Sequence, residues 1–313
     1  MPVRALLSKP WLGSFVAAAA VLFATMAFTG GRGGADLASA ALTFSTFFVI
    51  VGIGQMFVIT LGPGNVDLSI PATITLAGSV AMKVMDTQDS MILVGLMAAL
   101  ACGLGVGAAN YALILFLRIP PIIATLSSSF IVQSTAIAYG RGLRIKPPLL
   151  LSEFTSAMVG GVPLLALCTM VLAAGMGVVL ARTIYGRSVT AIGQSERAAW
   201  LAGIGVERVR FVTYVLSAVL AALCGFLFSG FSGGASLSMG EQYLLASIAV
   251  VVIGGTAVAG GNGNLPGLWG AALFLFLVQS MLNTYQFSAG LRHLLTGSII
   301  IVLVAVSHSK DNR

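Results

Sequence analysis

The sequence predicts an all-α, polytopic membrane protein with about ten transmembrane helices and a short cytoplasmic helix, arranged as one transmembrane domain over residues 1–313. Hydrophobic residues make up 58% of the chain and charged residues only 8%, which is more apolar surface than a soluble domain of this length buries. The mean hydropathy is +1.03. The apolar residues also fall in runs close to the roughly 20 residues that a helix needs to cross a bilayer, with short polar segments between them.

The first run, Trp11 to Thr29, follows Arg4 and Lys9 and resembles a signal peptide. It is long enough to cross, and further candidate spans follow, so it reads as an uncleaved first helix. Spans at 41–61 and 69–85 flank a Gly/Pro-rich break, GPGNVDLSIP, from Gly62 to Pro71. Runs at 91–117 and 121–139 come next, and a basic loop from Arg141 to Lys146 leads to the run at 157–181. A charged segment, Arg182 to Arg210, separates that run from 211–231. Spans at 243–260 and 266–284 enclose a second break, IGGTAVAGGNGNLPGLWGA, from Ile253 to Ala271, and a run at 290–307 completes the set. At membrane depth such breaks persist only where protein or a water-filled path satisfies the backbone. They read either as pathway elements or as plain turns between spans. Both fall on the same side of the membrane, so no inverted repeat is expected.

Charge sets the orientation. With both termini in the cytoplasm, the inner side carries Arg4, Lys9, Arg118, Arg182, Arg187, Arg197, Arg208, Arg210, Lys310 and Arg313. The outer side carries Arg32, Lys83, Arg141, Arg144, Lys146 and Arg292. The bias runs in the direction expected of retained basic loops, with the Arg141 to Lys146 cluster as the feature against it. The net charge of +7 is therefore a topology signal. No basic face with interleaved aromatics is present, which argues against nucleic acid. Cys102, Cys168 and Cys224 lie inside apolar runs without metal-ligand or disulfide spacing and read as small core residues.

The residues also restrict the energy source. None of Lys9, Lys83, Lys146 and Lys310 follows a glycine, so the chain has no phosphate-cradling P-loop of its own. Ion coupling generally appears as an acid inside a span. Asp67 lies instead in the first break, and Glu153 and Glu241 lie in outer loops. A passive conduit or a subunit driven by a partner remains, and the charged segment favours the partner.

Within GRSVTAIGQSERAAWLAGIG, Gly186 to Gly205, a helix of about two turns has readable ends. Ser195 is placed to cap it, Glu196 suits the positive end of its dipole, and Gly203 suits a left-handed stop. Ala198, Ala199 and Ala202 are expected to be exposed for close insertion into a cleft, with Arg187 and Arg197 pairing with carboxylates at its rim. The alternative is a surface helix without a partner.

These segments resemble the permease subunits of bacterial ABC importers of the ribose, arabinose and xylose type, which belong with the branched-chain amino-acid permeases in one superfamily. The resemblance runs from about Phe47 to Val304. It rests on GPGNVDLSIP, where the family usually has Gly-Gly-Ile-Asp-Leu-Ser-Val-Gly, on PPIIATL at Pro120 to Leu126, on GRSVTAIGQSERAAWLAGIG, and on IGGTAVAGGNGNLPGLWGA. It implies that Gly186, Arg187, Ala191, Gly193, Ala198, Ala199, Gly203 and Ile204 belong to a segment coupling to an ATPase subunit. Asn65, Asp67 to Ser69, Gly254, Gly255, Gly260, Gly261, Gly263 and Gly267 match the breaks. Pro71 stands where glycine is usual, Asn65 and Val66 replace Gly and Ile, and Gln194-Ser195 replaces Gly-Asn, which bears on the substrate.

The implied assembly has ABC ATP-binding subunits, a periplasmic solute-binding protein and a second permease chain, as homo- or heterodimer, among the lipids of the bacterial inner membrane. ATP and Mg would sit on the partner subunits, with no cofactor, metal or catalytic residue in this chain. Polar residues placed to line a path for a monosaccharide or sugar-like solute are Gln55, Asn65, Asp67, Asn110, Ser127, Ser128, Gln133, Gln279 and Asn283; each is equally able to make an interhelical hydrogen bond. Three rival readings fit parts of the sequence. One is the amino-acid branch of the superfamily. Another is an orphan channel. The third is a rhomboid-like intramembrane serine protease, suggested by Gly-Phe-Ser-Gly at Gly230 to Gly233 and by His293.

Overall fold

The computed structural model describes residues 10–298 except 32, 143–144, 286, 289, 292–293 and 296. Its helices are α1 (Pro10–Phe28), α2 (Gly34–Thr60), α3 (Ile70–Met85), α4 (Ile92–Leu117), α5 (Pro121–Gly140), α6 (Leu149–Ser156), α7 (Leu164–Arg182), α8 (Ile184–Gln194), α9 (Glu196–Leu201), α10 (Val206–Phe231), α11 (Tyr243–Ile253) and α12 (Leu265–Thr284). Seven helical stretches among the described residues are long and apolar enough to cross a membrane, and α3 and α11 are shorter apolar helices. The chain is an all-α, multi-pass membrane protein. The expected span at 290–307 lies largely outside the described residues.

Helix α2 is the axis of the bundle. Every residue from Ser45 to Thr60 is buried, because α7, α10, α11 and α12 surround it. A helix that is apolar on all sides suits either a protein core or a bilayer, and here neighbouring helices cover it. Phe47 meets the rings of Phe228 and Phe231 at 5.1 and 5.6 Å, and Phe48 meets Tyr243 at 5.2 Å. Helices α3 and α4 pack against α10 and carry α5 on their other side, while α1 packs on α12. On the outside, Leu93, Met97 and Phe116 of α4, Phe130 and Ile131 of α5, and Val171 and Val178 of α7 are exposed, the apolar exterior that a bilayer solvates.

The densest seam joins α4 to α10. A Cβ on Gly103 would lie 2.7 Å from the Ala218 carbonyl oxygen, and one on Gly107 would lie 2.6 Å from Val215 Cα. The two backbones touch because these positions have no side chain, as small residues permit in membrane helices.

Several boundaries differ from the sequence reading. Residues 158–163 form a two-stranded hairpin, Met158–Val159 with Val162–Pro163. Gly160 and Gly161 have φ of 58° and 81°, so the run at 157–181 becomes helical only at Leu164. The run at 243–260 stops at Ile253 because Gly255 takes φ 87°. Helix α11 therefore rises only about 16 Å, roughly half the hydrocarbon thickness. Helix α6 was not expected, and Cys168 is exposed on α7 rather than in the core.

Candidate functional site

The charged segment folds as a helix–turn–helix between α7 and α10. Thr183 caps α8 by accepting from the Gly186 amide at 3.1 Å. Ser195 ends α8 and caps α9, accepting from the Ala198 amide at 3.3 Å. Gly203 closes the turn with φ 83°. Helix α8 lies against the bundle through Val189 and Ile192, and the Tyr185 ring stacks on Phe57 at 6.0 Å. Its hydroxyl pairs with Thr213 Oγ1 at 2.8 Å. Burial pushes the Tyr185 phenol up to about 12, outweighing the Thr213 hydrogen bond that lowers it.

Arg187, Arg197, Ala198 and Ala202 are exposed, and so are Trp200 and Leu201. Ala199, expected on the outer surface, is instead 4% exposed. It faces the chain's own core, with α9 resting on it, and the large apolar side chains that point outward are those of Trp200 and Leu201. Beside them a cleft of about 630 Å³ is bounded by Glu196, Arg197, Trp200, Ile204, Glu207 and Arg208. The segment thus presents both a charged rim and an apolar surface.

The two Gly/Pro breaks, distant in the sequence, converge on this segment. The Gly261 amide donates to the Thr60 carbonyl at 2.9 Å. A Cβ on Gly193 would run into Thr60 O and the Gly261 amide, and one on Gly260 would run into Gly62. The end of α2, the second break and the end of α8 therefore meet backbone to backbone, where glycine alone fits. Helix α11 and the stretch after it run along the second half of α2: Val250 of α11 meets Gly52, and Gly261 meets Thr60. The polar groups of that stretch are satisfied internally. Asn264 Nδ2 donates to Gly254 O at 2.8 Å, the Asn264 amide to Thr256 Oγ1 at 3.1 Å, and the Ala257 amide to Asn262 O at 3.1 Å, as non-helical backbone inside a membrane bundle requires.

The first break leads into a buried polar network. Asp67, 1% exposed, accepts at Oδ1 from the Ser69 amide (2.9 Å) and hydroxyl (2.6 Å), and at Oδ2 from the Ser217 hydroxyl (2.8 Å). Its amide donates to Gln55 Oε1 at 3.2 Å. Asn110 Nδ2 donates to Ser69 Oγ at 2.8 Å, and Asn110 Oδ1 accepts from Ser128. Thr125 Oγ1 accepts from the Leu68 amide at 3.1 Å, and Asn65 Oδ1 accepts from the Tyr214 hydroxyl at 3.1 Å. Three donors satisfy both carboxyl oxygens, as buried polar groups require. Gln55 Nε2 is left without a partner among the described residues.

Of the residues placed as path-lining, Gln55, Asn65, Asp67, Asn110 and Ser128 are gathered in this network. Ser127 is exposed on α5. Gln133 donates to Leu237 O at 2.9 Å near the other end of the bundle. Gln279 is half-buried and Asn283 exposed at the end of α12. Thr125, Tyr214 and Ser217 were not singled out from the sequence, because isolated hydroxyls in apolar runs commonly bond only to their own helix. Ser232, the serine of the protease reading, follows the end of α10 and donates locally to the Phe228 carbonyl at 2.7 Å and the Gly234 carbonyl at 3.0 Å. His293 lies outside the described residues.

Residues 37–304 match the family described as branched-chain amino acid transport system / permease component. The chain is 32% identical over 274 residues to the ribose import permease protein RbsC of Bacillus subtilis strain 168, covering 84% of this chain and 81% of that protein. It is 29% identical over 267 residues to RbsC of Escherichia coli K12, covering 84% and 82%. It is 28% identical over 270 residues to the autoinducer 2 import system permease protein LsrC of Enterobacter sp. strain 638, covering 84% and 78%. No solved structure matches the chain.

Proposed function

The chain belongs to the branched-chain amino acid transport system / permease component family, and on that premise we propose that it is the membrane subunit of an ATP-driven importer of a monosaccharide or sugar-like solute. The names of its relatives, ribose and autoinducer 2 import permeases, favour this over amino-acid import. Neither an orphan channel nor an intramembrane protease accounts for relatives that are import permeases over most of their length.

The observation that carries the reading is the meeting of Gly193, Gly261 and Thr60. It sets the end of the exposed α8–α9 segment directly on both Gly/Pro breaks. A force applied to that surface by an ATP-binding subunit reaches the breaks without an intervening side chain. Such a subunit, holding ATP and Mg, would bias the bundle between two states through its contact with the segment. A periplasmic binding protein would deliver the solute, and a second permease chain would complete the pore in the inner membrane. Both termini would face the cytoplasm.

The test is Ala198→Arg, at an exposed position of α9. The permease alone should purify and melt as the wild type does. Co-purification with its ATP-binding subunit and solute uptake in cells should both fall about tenfold, the scale of losing a central contact. Unchanged uptake would reject the docking role.

A further inference from the structure

We propose that Arg210 is the positioning residue that braces α9 against the bundle, so that displacement of the docking surface reaches the buried Asp67 network instead of being absorbed at the turn before α10. The inference rests on the ATP-driven reading above.

Helix α9 joins α10 through residues 202–205, a turn containing Gly203 in the left-handed region and Gly205. Glycine-bearing turns bend easily, so covalent linkage alone is a poor lever. Arg210 spans this turn. Its two Nη atoms donate to the two carboxylate oxygens of Glu196, the first residue of α9, at 3.0 and 2.7 Å. A planar fork on a carboxylate fixes angle as well as distance, which a single point contact does not. The Arg210 side chain is 20% exposed and that of Glu196 55%, so the pair is anchored at its arginine end.

From Arg210 the contacts continue inward. Its Nη1 lies 4.0 Å from Glu207 Oε1, and Glu207 Oε2 accepts from the Tyr111 hydroxyl of α4. The Tyr111 ring packs on Tyr214 at 6.1 Å. Tyr214 donates to Asn65 Oδ1, and Asn65 Nδ2 donates to the Gly62 carbonyl at 3.2 Å. One turn further along α10, Ser217 holds Asp67. A physical chain therefore connects the docking helix to α4, α10 and the first break, by a route separate from the Gly193 contact.

The test uses the assembled complex of permease, ATP-binding subunit and binding protein in lipid nanodiscs. Spin labels at the exposed Phe130 of α5 and Val171 of α7 report the bundle, and the readout is the distance shift on adding ATP and vanadate. Arg210→Glu and Glu196→Arg should each reduce the shift about fivefold in complexes that still assemble and bind ATP; the double swap should restore at least about half of it. A merely structural role would lower the yield of complex and leave the shift in assembled complex unchanged. If the single swaps do not assemble, Arg210→Lys decides, since it keeps the charge and loses the fork: a shift reduced about threefold supports the brace. Wild-type shifts in the single variants or in Arg210→Lys, or a double swap no better than the singles, overturn it. A wild-type complex that neither hydrolyses ATP nor shifts would instead overturn the importer reading.

Discussion

Asp67 and Ala199 show how much one side chain decides here. Asp67 accepts from two donors of Ser69, just before α3, and one of Ser217 on α10, and lies wholly inside the bundle. Removing the carboxylate strands them, at about 1–3 kcal/mol for each group left unsatisfied. Asp67→Ala is therefore expected to lower stability by about 3 kcal/mol or more, and Asp67→Asn by less, because its remaining oxygen still faces the Ser69 donors. Thermal unfolding of the purified permease in detergent measures both, and an Asp67→Ala protein that melts with the wild type would refute the account. At Ala199 the expected outcome differs from that of the exposed docking position expected from the sequence, because the residue is buried. Ala199→Arg places a cation at a buried site and should cost several kcal/mol, seen as lost monodispersity, whereas neighbouring Ala198→Arg should fold normally. The caps at Ser195 and Gly203 were readable in the sequence because capping is a local interaction. The burial of Ala199 was not, since six residues of helix carry too little periodicity to tell one alanine from the next.

Helix pairs make the next level of organisation, and the α4–α10 seam is the clearest case. Gly103 and Gly107 bring the two backbones into contact, and any side chain there must force the helices apart. Gly107→Leu is expected to destabilise the permease by about 3 kcal/mol, at the upper end of overpacking costs. Gly105, two residues from both Gly103 and Gly107 and facing open space, should accept alanine with no loss. Comparing the two melting temperatures checks this; equal losses would mean the seam is not the determinant. The apolar runs were legible as helices because about 20 hydrophobic residues leave few alternatives in a bilayer. Their ends were less so. Hydropathy continues through Gly254 to Gly261, yet α11 stops at Ile253, because a φ of 87° at Gly255 leaves no trace in an average over side chains.

Considered whole, the molecule places Thr60, Gly193 and Gly261 at one end, and Leu237, Gly140 and the hairpin at residues 158–163 toward the other. In the topology proposed from the charge bias, the first of these ends would face the cytoplasm. In a cysteine-free background, Arg197→Cys should react with a membrane-impermeant maleimide only in inverted vesicles, and Lys146→Cys only in intact cells stripped to the inner membrane. The reverse pattern would invert the protein and remove the docking surface from the ATP side. Composition, the spacing of apolar runs and the charged island sufficed for the membrane class, for most of the apolar helices and for the exposed charged segment between α7 and α10, because each depends on residues near one another in the chain and on their transfer into lipid. That two breaks separated by most of the sequence close on one glycine of that segment, and that Asp67 is held by Ser217, was decided only by tertiary packing. Close backbone approach is a property of how whole helices cross, and no local pattern of residues records which helix will be the neighbour.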